Sequence, residues 1–168
     1  MNKIKNVGVA VITKINNEYY LLFVIEKNNK LNIPAGKIDG HSARKSAFRE
    51  LKEETLLIPF NISENEIEKK INKSSYVIID DTKIYFINDN NLNIVSNNKF
   101  NIIKKNILKL LKNNVKNIHA YDETKGIIYI SIKQLLNKKK ISKYNFRECC
   151  KKMLKNDKFR KKLTKCSF

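Results

Sequence analysis

Residues 6–13, Asn-Val-Gly-Val-Ala-Val-Ile-Thr, form a β-branched, apolar run with one small glycine, and they predict a buried strand. Asn16-Asn17 is a turn signal, and Tyr19 to Ile25 predicts a second strand, so the pair reads as a hairpin. Asn28-Asn29 breaks the pattern, Leu31 to Ile33 is a short extended piece, and Pro34 disfavours helix at the residue before it. From Ser42 to Thr55 the period changes. Ala43, Ala47 and Leu51 recur four apart, Phe48 widens the stripe, Ser42 suits the N-cap, and Pro59 follows the end. Glu64 to Lys73 predicts a short surface helix, and Ser75 to Ile79 and Lys83 to Ile87 predict strands around Asp80-Asp81-Thr82. After a polar, Asn-rich loop, Ile102 to Val115 predicts a helix. Ile103, Ile107, Leu110 and Leu111 share one of its faces, and Lys105, Lys109, Lys112 and Lys116 line another. Gly126 to Ile132 predicts a strand, and Ile132 to Leu136 starts a further helix. The tail from Lys138 is basic, carries Tyr144, Phe146, Met153, Leu154, Phe159 and Leu163, and reads as helical and partly packed with a frayed end. There is no internal repeat and no clean linker.

The chain has 168 residues, 42% of them apolar, which suits one domain with a real core. No apolar run approaches the ~20 residues needed to span a bilayer. Lys3 and Lys5 are not followed by a long apolar stretch or a small-residue cleavage site, so no signal peptide is expected. Cys149, Cys150 and Cys166 are odd in number and two are adjacent, so they predict no disulfide framework. The two histidines, His41 and His119, form no zinc spacing with them. Reduced thiols and a cytoplasmic location are expected. Lys and Arg number 35 against 16 Asp and Glu, a net charge of +19. That excess points to polyanionic partners, or to the Lys- and Asn-rich surface that an A+T-rich genome encodes.

Glycine and proline narrow the search. Two of the four glycines, Gly36 and Gly40, and one of the two prolines, Pro34, fall in a single short segment. Such a loop needs φ > 0 or close backbone approach. Arg49-Glu50-Leu51-Lys52-Glu53-Glu54 follows at once, and Glu50 shares a helical face with Glu53 and Glu54. Like charges at these spacings cost a few tenths of a kcal/mol per pair, roughly, unless a counter-charge is present. Hard cations such as Mg²⁺ or Mn²⁺ supply that counter-charge, taking carboxylates and substrate phosphates as ligands. A solvated face paired with Lys45, Arg49 and Lys52 is the alternative for the helix taken alone.

The stretch Leu31 to Leu57 closely resembles the Nudix box of the Nudix hydrolases, G-x5-E-x7-R-E-U-x-E-E-x-G-U with U a bulky apolar residue. Gly36 matches the opening glycine, Arg49, Glu50, Leu51, Glu53 and Glu54 match R-E-U-x-E-E, and Leu57 matches the last U. The resemblance implies an α/β fold: an α/β/α sandwich around a mixed β-sheet, here with an extra basic helix and a basic C-terminal tail. It implies a Nudix hydrolase domain over residues 1–137, with 138–168 a basic extension packed on it. Mg²⁺- or Mn²⁺-dependent hydrolysis of a diphosphate linkage in a nucleotide-containing substrate is the implied activity. Glu50, Glu53 and Glu54 would be metal ligands, Arg49 would orient a glutamate, and Gly36 would permit the turn. Family members often draw a further carboxylate from a downstream loop, and Glu123, beside Asp122 and before the final strand, is the candidate. Two departures stand out. Gly36 to Arg49 is one residue short, leaving His41 or Ser42 where the first box glutamate belongs, and Leu56 replaces the late glycine.

For the substrate, basic stripes with interleaved Tyr144, Phe146 and Phe159 suit a phosphodiester backbone. Lys37, Lys105, Lys109 and Lys112 are the candidate substrate- or RNA-binding residues. This favours capped RNA, and hence mRNA decapping, over a small nucleotide such as ADP-ribose or a nucleoside triphosphate. A Nudix fold that lost activity and serves as an RNA-binding module is the reading from another class. The oligomeric state is open.

Overall fold

The computed structural model describes residues 3–112 and 118–166. Two long strands come first, β1 (Asn6–Ile15) and β2 (Glu18–Glu26), joined by a two-residue turn. Asn16 and Asn17 both take positive φ, which asparagine tolerates better than most residues and which matches the twist of a hairpin. Two short strands follow, β3 (Leu31–Asn32) and β4 (Ala35–Lys37), and then helix α1 (Ala43–Thr55). Next come α2 (Glu64–Lys73), β5 (Ser75–Ile79), β6 (Thr82–Asn88) and α3 (Asn97–Leu111). A 3-10 turn (Ile118–Asp122) leads into β7 (Thr124–Ser131). The chain ends through α4 (Ile132–Leu135), α5 (Lys138–Ile141), α6 (Glu148–Lys155) and α7 (Asp157–Cys166).

The seven strands make one mixed sheet in the order β3-β2-β1-β6-β5, with β4 beside β1 and β7 beside β2. β1 runs parallel to β6 along one edge. Its other edge is shared: the Ile12–Ile15 end pairs with β2, and the Asn6–Gly8 end pairs with β4. β1 and β2 therefore separate beyond their hairpin, and the strand leading into α1 enters the gap.

Alternation along the strands explains the layers. Val7, Val9, Val11, Leu22, Val24, Tyr85 and Ile87 face one core, with Ala47 and Leu51 of α1, Ile67 and Ile71 of α2, and Phe100 of α3. Ala10, Ile12, Leu21, Phe23, Ile84 and Phe86 face the opposite core. There they meet Leu135, Ile141, Phe146, Cys150, Met153, Leu154, Phe159 and Leu163 from the C-terminal helices. With both faces covered, the central strands read as continuous apolar runs. Among the described residues, no helix is long and apolar enough to cross a membrane.

Three sequence expectations need correction here. α3 begins at Asn97 rather than Ile102: Ser96 caps it, accepting from the Lys99 N–H at 3.4 Å, and Asn97 Oδ1 binds the Ile127 N–H at 2.9 Å. Cap and sheet contact override the low helix propensity of asparagine. Second, the expected apolar face of this helix is not its buried face. Phe100 and Lys104 are buried, whereas Leu110 is exposed. Third, Phe146 and Phe159 are core residues rather than surface rings, each in tilted ring contact with a sheet phenylalanine at 5.2 Å between centroids. The expected end of the helix at Val115, and Lys116, lie outside the described residues.

Candidate active site: a carboxylate cleft

α1 starts at Ser42, whose Oγ accepts from the Lys45 N–H at 3.3 Å. It ends at Leu56, which takes the left-handed conformation (φ 50°) in the place of the expected glycine, and Leu57 follows at φ 54°. Helical spacing then turns Glu50, Glu53 and Glu54 toward the gap between β1 and β2. Glu54 is buried, and its Oε2 accepts the Ala35 N–H of β4 at 3.0 Å. Glu50 lies against the next residue of that strand. A Cβ on Gly36 would overlap the Glu50 carboxylate outright. Gly36 is thus a strand residue that gives up its side chain to make room, not the turn-former expected from the sequence. The left-handed glycine of the loop is Gly40, at φ 77°.

Arg49 binds this cluster together. Its Nη2 donates to Glu50 Oε1 at 2.5 Å and to the Lys37 carbonyl at 3.1 Å, and its Nη1 donates to Glu53 Oε2 at 2.6 Å. A fourth partner, Asp39 Oδ2, pairs with its Nε at 2.9 Å. Asp39 was not singled out in the sequence, although the shortened loop offered it as the nearest acid. It brings a carboxylate to Arg49 from the loop half of the box, where the expected glutamate is missing, and it accepts from Ser46 Oγ at 3.2 Å. His41 and Ser42 bring none.

Glu123 lies across the cleft from α1, between the 3-10 turn and β7, and its position is clamped on both sides. Buried Lys104 donates to the Thr124 carbonyl and pairs with Asp122 at 3.0 Å. Thr124 Oγ1 donates to the Glu54 carbonyl at 2.8 Å, tying β7 to α1. The resulting cleft, about 760 Å³, is lined by five glutamates, Glu26, Glu50, Glu53, Glu54 and Glu123, together with Lys37, Asp39, Arg49 and Arg147.

The electrostatics follow from this crowding. Burial pushes the Glu50 and Glu53 carboxyls above their ordinary range, and Arg49 opposes the shift without cancelling it. Glu54 is raised furthest, by burial first, against the single Ala35 N–H bond, with Glu50, Glu26 and Glu123 adding repulsion. The charge of Glu123 acts on all three helical glutamates, which puts it in the same field. Among the described residues, no three carboxylate, imidazole or thiol groups are already gathered as a metal cage. Arg49 occupies the centre instead. The donor chemistry nonetheless fits a hard divalent cation: oxygen ligands only, half-buried, with more negative charge than one guanidinium neutralises.

The candidate basic residues sit in two places. Lys37 is exposed on the rim of the carboxylate cleft. Lys105, Lys109 and Lys112 line a separate groove between α3 and the 3-10 turn, with Lys125 and His119. Lys27 borders both. The interleaved-aromatic reading of the tail fails, because Phe146 and Phe159 are buried and the Tyr144 hydroxyl is bonded to Gln134 at 2.7 Å.

No family model and no curated protein matches this sequence. Solved structures do. One is a bifunctional NMN adenylyltransferase/ADP-ribose pyrophosphatase from Francisella tularensis, complexed with AMP and a manganese ion. Its TM-score is 0.54 at 13% identity, with 99% of this chain covered but 42% of that one. Another is the NUDIX domain of Shewanella oneidensis NrtR complexed with ADP-ribose, with a TM-score of 0.53, 12% identity, and 97% and 90% of the two chains covered. The chain has the Nudix fold.

Proposed function

We propose that the protein is a divalent-metal-dependent Nudix hydrolase that cleaves a diphosphate linkage in a nucleotide-containing substrate. The observation that carries this reading is the cluster of buried Glu54 and half-buried Glu50 and Glu53, with Glu123 lining the same cleft. Glu50, Glu53 and Glu54 would hold Mg²⁺ or Mn²⁺, which would neutralise phosphate charge and lower the pKa of an attacking water. Arg49, bonded to both, fixes the rotamers of Glu50 and Glu53 and would share them with a bound cation. Glu123, on the opposite wall, is the group to accept the proton of the attacking water. Lys37 reaches the phosphates from the rim. Asp39 stands in for the missing box glutamate in holding Arg49, which supports retained activity over a decayed site.

On the substrate, the lysines of α3 support an RNA-linked diphosphate, such as the 5′ cap of an mRNA. They lie beside the cleft and share Lys27 with it. The burial of Phe146 and Phe159 removes the stacking half of that case and favours a small nucleotide as the second reading. A panel of capped RNA, ADP-ribose, dinucleoside polyphosphates and nucleoside triphosphates, each with and without Mn²⁺ or Mg²⁺, decides between them. Metal-dependent turnover of at least one member is expected. No turnover, with RNA still bound, would establish the binding module instead.

A further inference from the structure

The proposed reaction leaves a problem on its own site. Glu26, Asp39, Glu50, Glu53, Glu54 and Glu123 surround the cleft, and a diphosphate must enter it. Arg49 offers little help, because its nitrogens are turned to Asp39, Glu50, Glu53 and the Lys37 carbonyl. The other arginine in the cleft is Arg147, and it comes from the C-terminal segment.

Arg147 is held on a firm base. Its N–H donates to the Leu31 carbonyl at 2.9 Å, and the Leu31 N–H donates to the Asn145 carbonyl at 2.8 Å. Phe146, between them, is buried against Phe23. The segment thus extends the sheet beside β3 and delivers the arginine at a fixed point. Its side chain is half-exposed, and among the described residues its one carboxylate partner is Glu26, which Nη1 reaches at 3.0 Å. Locally, arginine is a poor choice here. It is the N-cap of α6, makes no side-chain cap bond, and puts a cation at the positive end of a helix. The helix it caps therefore does not account for the arginine; what accounts for it is what the guanidinium faces, Glu26 and the carboxylate cleft.

Its location supplies a role. A second cavity of about 430 Å³, lined in part by Asn32, Ile33, Ile84, Cys150 and Met153, adjoins the carboxylate cleft. The residues common to both are Ala35, Gly36 and Lys37 of β4, and Arg147. Any substrate with phosphates at the glutamates and an organic moiety in the second cavity passes this guanidinium. We propose that Arg147 is a substrate-phosphate ligand at the junction of the two cavities, so that the C-terminal segment completes the site. This rests on the hydrolase reading for the identity of the ligand, a nucleoside diphosphate moiety.

The test is calorimetric binding of α,β-methylene-ADP, and separately of inorganic pyrophosphate, to the full chain with Mn²⁺. Arg147→Ala should weaken both about tenfold or more, the loss expected when charge-assisted hydrogen bonds go. Arg147→Lys should recover part of it, since lysine keeps the charge but not the bidentate fork. Glu26→Gln frees the guanidinium and should bind at least as tightly as the parent. On a turned-over substrate, the Arg147→Ala defect should fall on KM more than on kcat. Unchanged binding in Arg147→Ala would overturn the proposal, as would an equal loss in Glu26→Gln, which would mark a merely structural ion pair. Arg147-dependent binding without turnover in the parent chain would remove the hydrolase reading and leave Arg147 in place.

Discussion

The carboxylate cleft and the basic groove lie on either side of the 3-10 turn Ile118–Asp122, and they are built on different principles. In the cleft, charge is crowded, of both signs, and fixed in place. Glu54 is buried on a strand N–H, Glu50 lies over Gly36, and Arg49 ties Glu50 and Glu53 to Asp39. In the groove, charge is plentiful but loosely held: Lys105, Lys109 and Lys112 are exposed. Only Lys104 turns inward, and it serves the cleft by clamping the residues on both sides of Glu123. The difference teaches that the net charge of +19 says little about chemistry. In the proposed function a few acids desolvated on rigid elements carry the reactivity, and many solvated lysines set an electrostatic background.

That contrast can be broken from either side. The largest effect is expected from Glu53→Gln, which keeps the shape but removes a ligand charge. Turnover should fall by about 100-fold or more with little change in folding, since losing even an outer-shell partner of a metal costs 10–100-fold, roughly. Steady-state kinetics at saturating Mn²⁺ checks it. On the groove side, replacing Lys105, Lys109 and Lys112 together by alanine should flatten the salt dependence of RNA binding. The slope of log K against log salt should drop by about 2, at ~0.7 per phosphate contact on a single strand. Hydrolysis of small nucleotides should stay the same.

Two smaller effects concern stability. The Glu54 carboxyl is raised in the folded state, so the folded chain holds its proton more tightly than the unfolded chain does. Its contribution is present at low pH and is lost as pH climbs above the ordinary carboxylate range. Glu54→Gln should therefore raise the melting temperature of the metal-free protein at pH 7.5, with the gain shrinking as pH falls below 5. The same change should remove the stabilisation that Mn²⁺ gives the parent. Last, Leu56→Gly should stabilise the chain by about 1 kcal/mol, since a left-handed conformation costs a residue with a Cβ about that much and glycine nothing. Denaturant unfolding measures it.

Much of the fold was legible because the signals are local. The Asn16-Asn17 turn, the four-residue spacing of α1 and the Ser42 cap all read directly from sequence. What was not legible depends on partners far along the chain. β4 is three residues long and exists because β1 offers it an edge. Phe146 and Phe159 look like surface aromatics in a lysine-rich tail, and only the apolar sheet face they cover makes them core. In the site, R-E-U-x-E-E announced the three helical glutamates. Asp39 and Arg147 carry no such signal: one pairs with Arg49 from a loop that lacks the motif glutamate, and the other lies 93 residues beyond Glu54 in chain order. Gly36 reads as a turn residue from the sequence, whereas its need is space for Glu50.

Everything proposed for the cleft depends on the α1 glutamates binding a divalent cation. The most direct measurement is a titration of Mn²⁺ into the protein at pH 7.5, followed by the paramagnetic resonance signal of the free ion. The parent chain should deplete that signal, and the Glu50→Gln and Glu53→Gln variants should do so far less. A signal that the parent leaves untouched, or that all three chains deplete alike, would contradict the account.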